Sequence, residues 1–205
     1  GGSSGFGTGG GTIIGGGTGG AAVTGGFAVA NGYVTGAGWM GYGYTYVGPM
    51  VGSKATITPA TFEGLTQLCA TGSIAADPTF ASVAGMGFSV NQANTPMPPI
   101  LTAPTSGTGL SINVSVTGLT LAPGAGSQLR AQLKSAGGDF CAPIPAAGTS
   151  TIPWASFNKT CWDTTAVGNA AFVAGTAITA VEVLVPSAMT AIPTFMVCLL
   201  DAHAK

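Results

Sequence analysis

Short stretches in which hydrophobic and polar residues alternate run through the chain from residue 27 onward, with turn residues between them. Alternation with a period of two is typical of β-strands that bury one face. Stretches rich in Pro and Gly, notably 94–109 and 142–150, separate these segments. The pattern therefore predicts an all-β fold, a jelly-roll β-sandwich with at most one or two short helices. The predicted strand segments are 27–35, 39–47, 82–90, 110–116, 127–134, 177–185 and 194–200.

Two local signals refine this prediction. Asn31-Gly32 lies inside the first segment, and this dipeptide is typical of a tight turn between two strands. Thr58-Pro59 precedes the sequence ATFEGLTQLC, and a Thr cap followed by Pro in the first turn is typical of a helix start. We therefore predict a hairpin or a turn within 27–35 and one short helix over 59–69.

Residues 1–26 differ in composition from everything that follows, because fourteen of them are glycine. We divide the chain into a Gly-rich N-terminal arm (1–26) and a β-sandwich domain (27–205). Glycine loses much backbone freedom when it is ordered, so an ordered arm needs contacts with its own domain, a sheet edge or a neighbouring subunit. Its apolar side chains are the candidate anchors: Phe6, Ile13, Ile14 and Val23.

Charge is scarce, with five Lys or Arg, six Asp or Glu and a net charge of −1. Five scattered cations argue against a nucleic-acid interface or a polybasic membrane patch. The only histidine, His203, lies near the end of the sequence, so we assign no metal site and no cofactor. A surface so close to neutral favours association with itself or with carbohydrate, although a secreted surface of Thr, Ser, Asn and Gly would give the same composition.

The four cysteines are Cys69, Cys141, Cys161 and Cys198, and their wide spacing is unlike a zinc motif. Three pairings are open, as is a set of four buried thiols. We favour Cys141–Cys161, which would close a local loop, and Cys69–Cys198, which would join an early segment to the last strand. Disulfides would place the protein in an oxidising compartment, outside the cell or at its surface.

No arrangement of residues predicts catalysis. The six carboxylates show no paired motif of the glycosidase kind: Glu63, Asp77, Asp139, Asp163, Glu182 and Asp201. Alternation places Glu182 on the strand face opposite Val181 and Val183. A serine triad would need His203, and the GxSxG motif is absent from the sequence. We therefore assign no catalytic residue and predict a protein that is not an enzyme.

Aromatic residues are the stronger functional lead, because sugar rings stack on flat aromatic faces. Trp39, Tyr42, Tyr44 and Tyr46 recur along one predicted strand and form a candidate carbohydrate platform. The alternative, that these residues fill the core, stays open. In a second group of Trp154, Phe157 and Trp162, we favour core packing for the two tryptophans.

Other sequence features concern export and modification. Asn113 and Asn158 both begin N-glycosylation sequons, of which the second lies in a predicted loop. The apolar stretch 177–200 is interrupted by Glu182, Pro186 and Pro193, so it predicts two strands and no transmembrane segment. The opening Gly1-Gly2-Ser3-Ser4 is typical of a mature, processed start.

The segment TIPWASFNKTCWD (151–163) resembles a pattern in secreted, myxobacterial-type proteins with a Gly-rich linker before a carbohydrate-binding-module-like jelly roll. FAVANGYVTGAGW (27–39), Leu68-Cys69 and AVEVLVPS (180–187) are similar to the same group. The resemblance spans roughly residues 27–200. It implies a galactose-binding-like β-sandwich, export and disulfides, and it identifies no ligand-binding residue.

Two functions follow from these observations as hypotheses. The first is a non-catalytic extracellular structural protein that polymerises with itself into filaments through its Gly-rich arm, since a head-to-tail contact does not close. The alternative is a secreted carbohydrate-binding module for a polysaccharide or a cell-surface glycan. A hydrolase would rest on fold analogy alone.

Overall fold

The fold is all-β in this computed structural model, which describes residues 26–36, 38–163 and 165–205. Two single-turn 3₁₀ helices, Gly124–Gly126 and Trp154–Ser156, accompany the strands. The strands are β1 (Ala28–Ala30), β2 (Tyr33–Gly36), β3 (Trp39–Gly48), β4 (Ala55–Thr58), β5 (Leu68–Ile74), β6 (Val83–Ser89), β7 (Ala103–Pro104), β8 (Gly109–Thr117), β9 (Arg130–Ser135), β10 (Gly138–Pro143), β11 (Gly148–Pro153), β12 (Ala177–Pro186) and β13 (Ile192–Ala204).

These strands form two antiparallel sheets. The larger sheet has the order β1-β2-β3-β6-β12-β9-β10, with β7 paired to β12, and the smaller has the order β11-β8-β13-β5-β4. Within them, β6-β12-β9-β10 and β5-β13-β8-β11 have the two four-stranded orders of a jelly roll. The predicted jelly-roll β-sandwich is therefore confirmed for the part of the chain that the structure describes.

The core lies between the sheets and is built by the alternating faces of the strands. Val181 and Val183 of β12 and Leu133 of β9 are buried from the larger sheet, and Leu110 and Ile112 of β8 face them from the smaller one. Their neighbours in sequence face outward, as alternation requires. This arrangement leaves one outer face on each sheet.

The predicted turn at Asn31-Gly32 is confirmed. It joins β1 to β2, and both residues have positive φ, 54° and 74°, as a two-residue hairpin turn of this kind needs.

The short helix predicted over 59–69 is wrong. Thr58, taken as its cap, instead pairs with Thr71 in the β4–β5 ladder. Gly64 has a φ of +78°, which a right-handed helix excludes, and its N–H donates to the Asn31 side chain. The segment is a loop fastened by the buried Phe62 ring, and β5 begins at Leu68.

The favoured cysteine pairing is confirmed. Cys69–Cys198 joins β5 to β13 across 129 residues, and Cys141–Cys161 joins β10 to the loop after β11 across 20. Among the described residues, no helix has the length and apolar character needed to cross a membrane.

Candidate functional site

The outer face of the larger sheet carries a row of side chains that the sequence scatters over 139 positions. Tyr44 of β3 pairs with Gly87 of β6, Gly87 with Glu182 of β12, and Glu182 with Gln132 of β9. Because directly paired residues point to the same side of a sheet, all four belong to one face. Glu182 lies opposite the buried Val181 and Val183, as alternation predicts.

Two glycines in β6 make room for this row. A Cβ at Gly85 would lie 2.3 Å from Cζ of the Tyr46 ring, and one at Gly87 would lie 2.8 Å from Cα of Glu182. Real Cβ atoms do not approach other atoms so closely. The missing side chains therefore let the Tyr46 ring of β3 lie across β6 and reach β12.

Glu182 is the centre of the site. Its Oε1 accepts a hydrogen bond from the Tyr44 hydroxyl at 2.6 Å, and its Oε2 accepts from the Tyr46 hydroxyl at 2.9 Å and from Nε2 of Gln132 at 2.8 Å. The carboxylate is only 1% exposed. Three charge-assisted hydrogen bonds compensate its desolvation and fix both tyrosine rings in place.

Burial sets the ionisation of these three groups. It raises the pKa of Glu182 above its ordinary value, while hydrogen bonds from Tyr44 and Tyr46 and the charge of Lys134 act in the opposite direction. Burial, followed by the nearby Glu182 charge, raises the pKa of both phenols far above 10. Both tyrosines therefore remain protonated and act as donors at every physiological pH.

Lys134 of β9 adds a cation beside the carboxylate. Its Nζ lies 3.2 Å from Oδ2 of Asp139, 3.8 Å from Oε1 of Glu182 and 6.0 Å from the centre of the Tyr46 ring. Nε2 of Gln132 also lies 3.2 Å from Oδ2 of Asp139. The ammonium group is thus balanced by two carboxylates, the exposed one of Asp139 and the buried one of Glu182.

These side chains border a surface cleft of about 400 Å³. One rim is Ile100, which is 58% exposed on the loop between β6 and β7. That loop is tied down by Asn91, whose Nδ2 donates to the Thr102 carbonyl, and by Gln92, whose Nε2 donates to the Pro98 carbonyl. The cleft is lined by Tyr44, Tyr46, Ser89, Ile100, Lys134, Thr179, Ala180 and Glu182.

The structure separates the residues of the predicted platform. Tyr44 and Tyr46 line the cleft, whereas Tyr42 lies beside it, with its ring against Tyr33 and its hydroxyl donating to Asn94. Trp39 is only 4% exposed and belongs to the core. A buried indole offers no face to a ligand, so Trp39 is left out of the candidate site.

The second aromatic group also divides. Trp154 and Phe157 are buried in the core and pack against each other with ring centres 6.1 Å apart. Trp162 is 55% exposed, so the favoured core packing is wrong for this residue. The cause is the disulfide at Cys161, which draws the chain to the outward-facing Cys141 of β10 instead of toward the core.

The remaining predicted site residues lie elsewhere. Phe6, Ile13, Ile14 and Val23 fall outside the described residues, so the assembly arm stays a prediction. Asn113 is half-buried in β8, and Asn158 is half-buried beside β10, where it exchanges backbone hydrogen bonds with Cys141. Glycosylation of either residue stays a prediction.

No cluster of three or more His, Cys, Asp or Glu side chains that could hold a metal ion occurs within the described ranges. His203 lies on the smaller sheet, with its Nδ1 2.9 Å from Oδ2 of Asp201.

The sequence analysis did not identify the polar residues that line the cleft, Ser89, Lys134, Thr179 and Glu182, or Gln132, which donates to Glu182. Each occupies an outward position of a strand or a strand end, which alternation can indicate. These residues come together in space only because the strands lie in the order β3-β6-β12-β9. Pairing between strands distant in sequence sets this order, so strand alternation alone does not predict it.

Comparison with known proteins adds one structural similarity. The chain is similar to a solved structure described as a family 11 carbohydrate-binding module from Clostridium thermocellum in complex with a β-1,3-1,4-mixed-linked tetrasaccharide. The two share 12% identity at a TM-score of 0.38 over 88% of this chain and 99% of the other. No protein family matches the sequence. No curated protein matches it either.

Proposed function

We propose that this protein is a non-catalytic carbohydrate-binding module that holds a polysaccharide segment in the cleft of its larger sheet. The observation that carries the proposal is the fixed pair of tyrosines. Tyr44 and Tyr46 are locked by Glu182 with their ring centres 6.4 Å apart, and their rings border a cleft with polar groups on its other side.

The chemistry of the cleft matches that of a sugar. A pyranose presents apolar C–H groups on its faces, which pack on aromatic rings, and hydroxyl groups at its edge, which need hydrogen-bond partners. Here the rings of Tyr44 and Tyr46 supply the apolar surface, while Thr179 and Lys134 supply a hydroxyl and an ammonium group. Because Glu182 holds the rings before any ligand arrives, little side-chain entropy is lost on binding.

The size of the cleft also suits an oligosaccharide segment. Its volume of about 400 Å³ falls within the range of roughly 300–1,000 Å³ that is usual for small-molecule sites. The two disulfides agree with a protein that folds in an oxidising compartment, where polysaccharides are met.

Binding of polysaccharide by tyrosine variants tests this function. In native affinity electrophoresis through gels that contain soluble polysaccharides, the wild-type chain is retarded on at least one polymer. We expect Tyr44→Ala and Tyr46→Ala each to reduce the affinity about tenfold, because aromatic contacts of this kind contribute on the order of 1 kcal/mol or more.

Phe80→Ala is the matched control, because it removes an aromatic side chain that is 58% exposed on the β5–β6 loop, outside the cleft. Its retardation should equal that of the wild type. Retardation that survives both tyrosine substitutions, or that is absent for the wild type on every polymer, contradicts the proposal.

Assembly into filaments through residues 1–26 remains a separate hypothesis, and the cleft does not depend on it. A chain that lacks these residues should bind polysaccharide as well as the full chain does.

A further inference from the structure

An unusual pair of residues lies on the same outer face, beyond the cleft. Arg130 begins β9, and its guanidinium carbon lies 5.6 Å from the centre of the Trp162 ring. Trp162 is 55% exposed, in contrast to Trp39 and Trp154, which are 4% and 3% exposed. Exposed tryptophan is uncommon, and this residue type is enriched where proteins bind partners.

Arg130 is a cation without an anionic partner. None of the carboxylates in the described ranges lies within ion-pair distance of it, and its buried Nε meets no hydrogen-bond acceptor there. Its neighbours across the sheet, Leu184 of β12 and Pro143 of β10, are apolar. Burial lowers the pKa of Arg130, which is the signature of a charge that its surroundings do not stabilise.

Arg130 is half-buried and lacks a carboxylate partner among the described residues, so an anion of a ligand would offset the cost of its partial desolvation. Buried polar groups are almost always hydrogen-bonded, and buried charges are normally paired. The Trp162 ring covers the charge from one side and contributes a cation–π contact, but an aromatic ring accepts no hydrogen bond in the plane of the guanidinium. The open donors of Arg130 therefore fit a ligand with a negative charge.

The pair is continuous with the cleft. Arg130, Gln132 and Lys134 alternate along one face of β9, so Arg130 lies about 7 Å from Gln132 and about 14 Å from Lys134 along the strand. These distances correspond to one to three sugar units. A polysaccharide that lies on Tyr44 and Tyr46 can therefore extend to Arg130 and Trp162 without leaving the face.

The Cys141–Cys161 disulfide holds Trp162 at this position. Cys141 pairs with Gln132 across β9 and β10, and its backbone also exchanges hydrogen bonds of 2.8 and 2.9 Å with Asn158. The loop that carries Trp162 is thus fixed to the sheet at two points, directly beside the cleft residues.

We propose that Arg130 and Trp162 form a subsite for an anionic sugar of the polysaccharide bound in the cleft. The guanidinium pairs with a carboxylate or sulfate group of that sugar, and the sugar ring packs against the exposed part of the indole. This inference rests on the proposed carbohydrate-binding function and names its substrate class as acidic polysaccharide.

Matched pairs of polymers test the subsite. Retardation of the full chain is measured in gels with polygalacturonate and its methyl ester, and with dextran sulfate and dextran, so that carboxylate and sulfate are separated. We expect one acidic polymer to bind about tenfold or more tighter than its neutral counterpart, and high salt to remove the difference.

Arg130→Gln should abolish the preference for the acidic polymer, and Arg130→Lys should retain part of it, because lysine keeps the charge but not the planar fork. Trp162→Ala should weaken binding of the acidic polymer as well. Lys205→Gln is the control, since it removes one exposed positive charge on the opposite side, next to Thr151 of the smaller sheet. Thermal unfolding of each variant establishes that it is folded.

The outcomes separate the two proposals. Equal binding of acidic and neutral polymers, or an acid preference that Arg130→Gln leaves intact, overturns the anionic subsite. If Tyr44→Ala still reduces neutral binding in that case, the proposed function stands. Failure of the wild type to bind any polymer overturns both.

Discussion

The hydroxyl groups of Tyr44 and Tyr46 both donate to Glu182, and these hydrogen bonds stabilise all three side chains. A carboxylate that is 1% exposed would be destabilised if it were left alone, and two long tyrosine side chains would be free to rotate. The hydrogen bonds of 2.6 and 2.9 Å satisfy the acid and hold the rings at the same time. A shared contact therefore produces both a stable sheet face and a rigid aromatic surface.

Gly85 provides a test of this arrangement that leaves the tyrosines in place. Its Cβ would meet the far end of the Tyr46 ring, so Gly85→Ala should displace the ring and break its hydrogen bond to Glu182, with a loss of stability of about 1–3 kcal/mol. We expect the variant to lose about as much polysaccharide affinity as Tyr46→Ala, measured by affinity electrophoresis.

The double variant Gly85→Ala/Tyr46→Ala serves as the control for this substitution. It should bind no more weakly than Tyr46→Ala alone, because both changes act on one ring. Additive losses would show that Gly85 acts in another way.

Single side chains also show how far sequence reasoning reaches. Tyr44 and Tyr46 are predictable from their period, and the orientation of Glu182 follows from its position between two valines. The hydrogen bonds between Glu182 and these tyrosines are not predictable from the sequence. More than 130 residues separate the partners along the chain, and strand β6 lies between them in the sheet. Trp39 continues the same aromatic stretch, yet it is buried, because strand alternation places position 39 on the opposite face of β3 from Tyr42, Tyr44 and Tyr46.

At the scale of the elements, the loop between β11 and β12 does more than connect two strands. The Cys141–Cys161 disulfide holds it on the outer face of the larger sheet. The two disulfides therefore have different expected roles. Cys69–Cys198 closes 129 residues within the smaller sheet, whereas Cys141–Cys161 closes 20 residues and positions Trp162.

Paired cysteine substitutions separate these roles. On a chain-entropy estimate, Cys69→Ser/Cys198→Ser lowers the free energy of unfolding by roughly 5 kcal/mol and Cys141→Ser/Cys161→Ser by roughly 3 kcal/mol. Denaturant unfolding measures this difference. We expect the second pair alone to weaken binding of the acidic polymer, to the level of Trp162→Ala.

Each double variant is the control for the other in the binding assay. A Cys141→Ser/Cys161→Ser chain that binds the acidic polymer as the wild type does would show that the disulfide does not position Trp162.

The strands themselves were predictable where the alternation is long, as for β3, β6, β8 and β12, and where a turn dipeptide marks a hairpin. Short polar strands such as β4 and β11 were missed, because Thr- and Gly-rich segments carry little periodic signal. The helix prediction failed for a related reason. Thr58-Pro59 ends a strand here, and a cap signal alone cannot exclude that.

At the scale of the whole molecule, the few charged side chains are distributed unevenly. Of eleven charged side chains, four lie on the outer face of the larger sheet: Arg130, Lys134, Asp139 and Glu182. In a protein so poor in charge, such a concentration beside two half-buried tyrosine rings that line a cleft and beside an exposed indole distinguishes this face from the rest of the surface. The jelly roll brings these residues together by pairing strands that are distant in sequence.

The most direct test is an NMR titration of the ¹⁵N-labelled full chain with oligosaccharides released from a polymer that retards it. The proposed function predicts that amide shifts concentrate at Tyr44, Tyr46, Ser89, Lys134 and Glu182, and that they extend to Arg130 and Trp162 for longer, acidic fragments. Shifts that centre on the smaller sheet, or that leave the tyrosines of β3 unaffected, would contradict it.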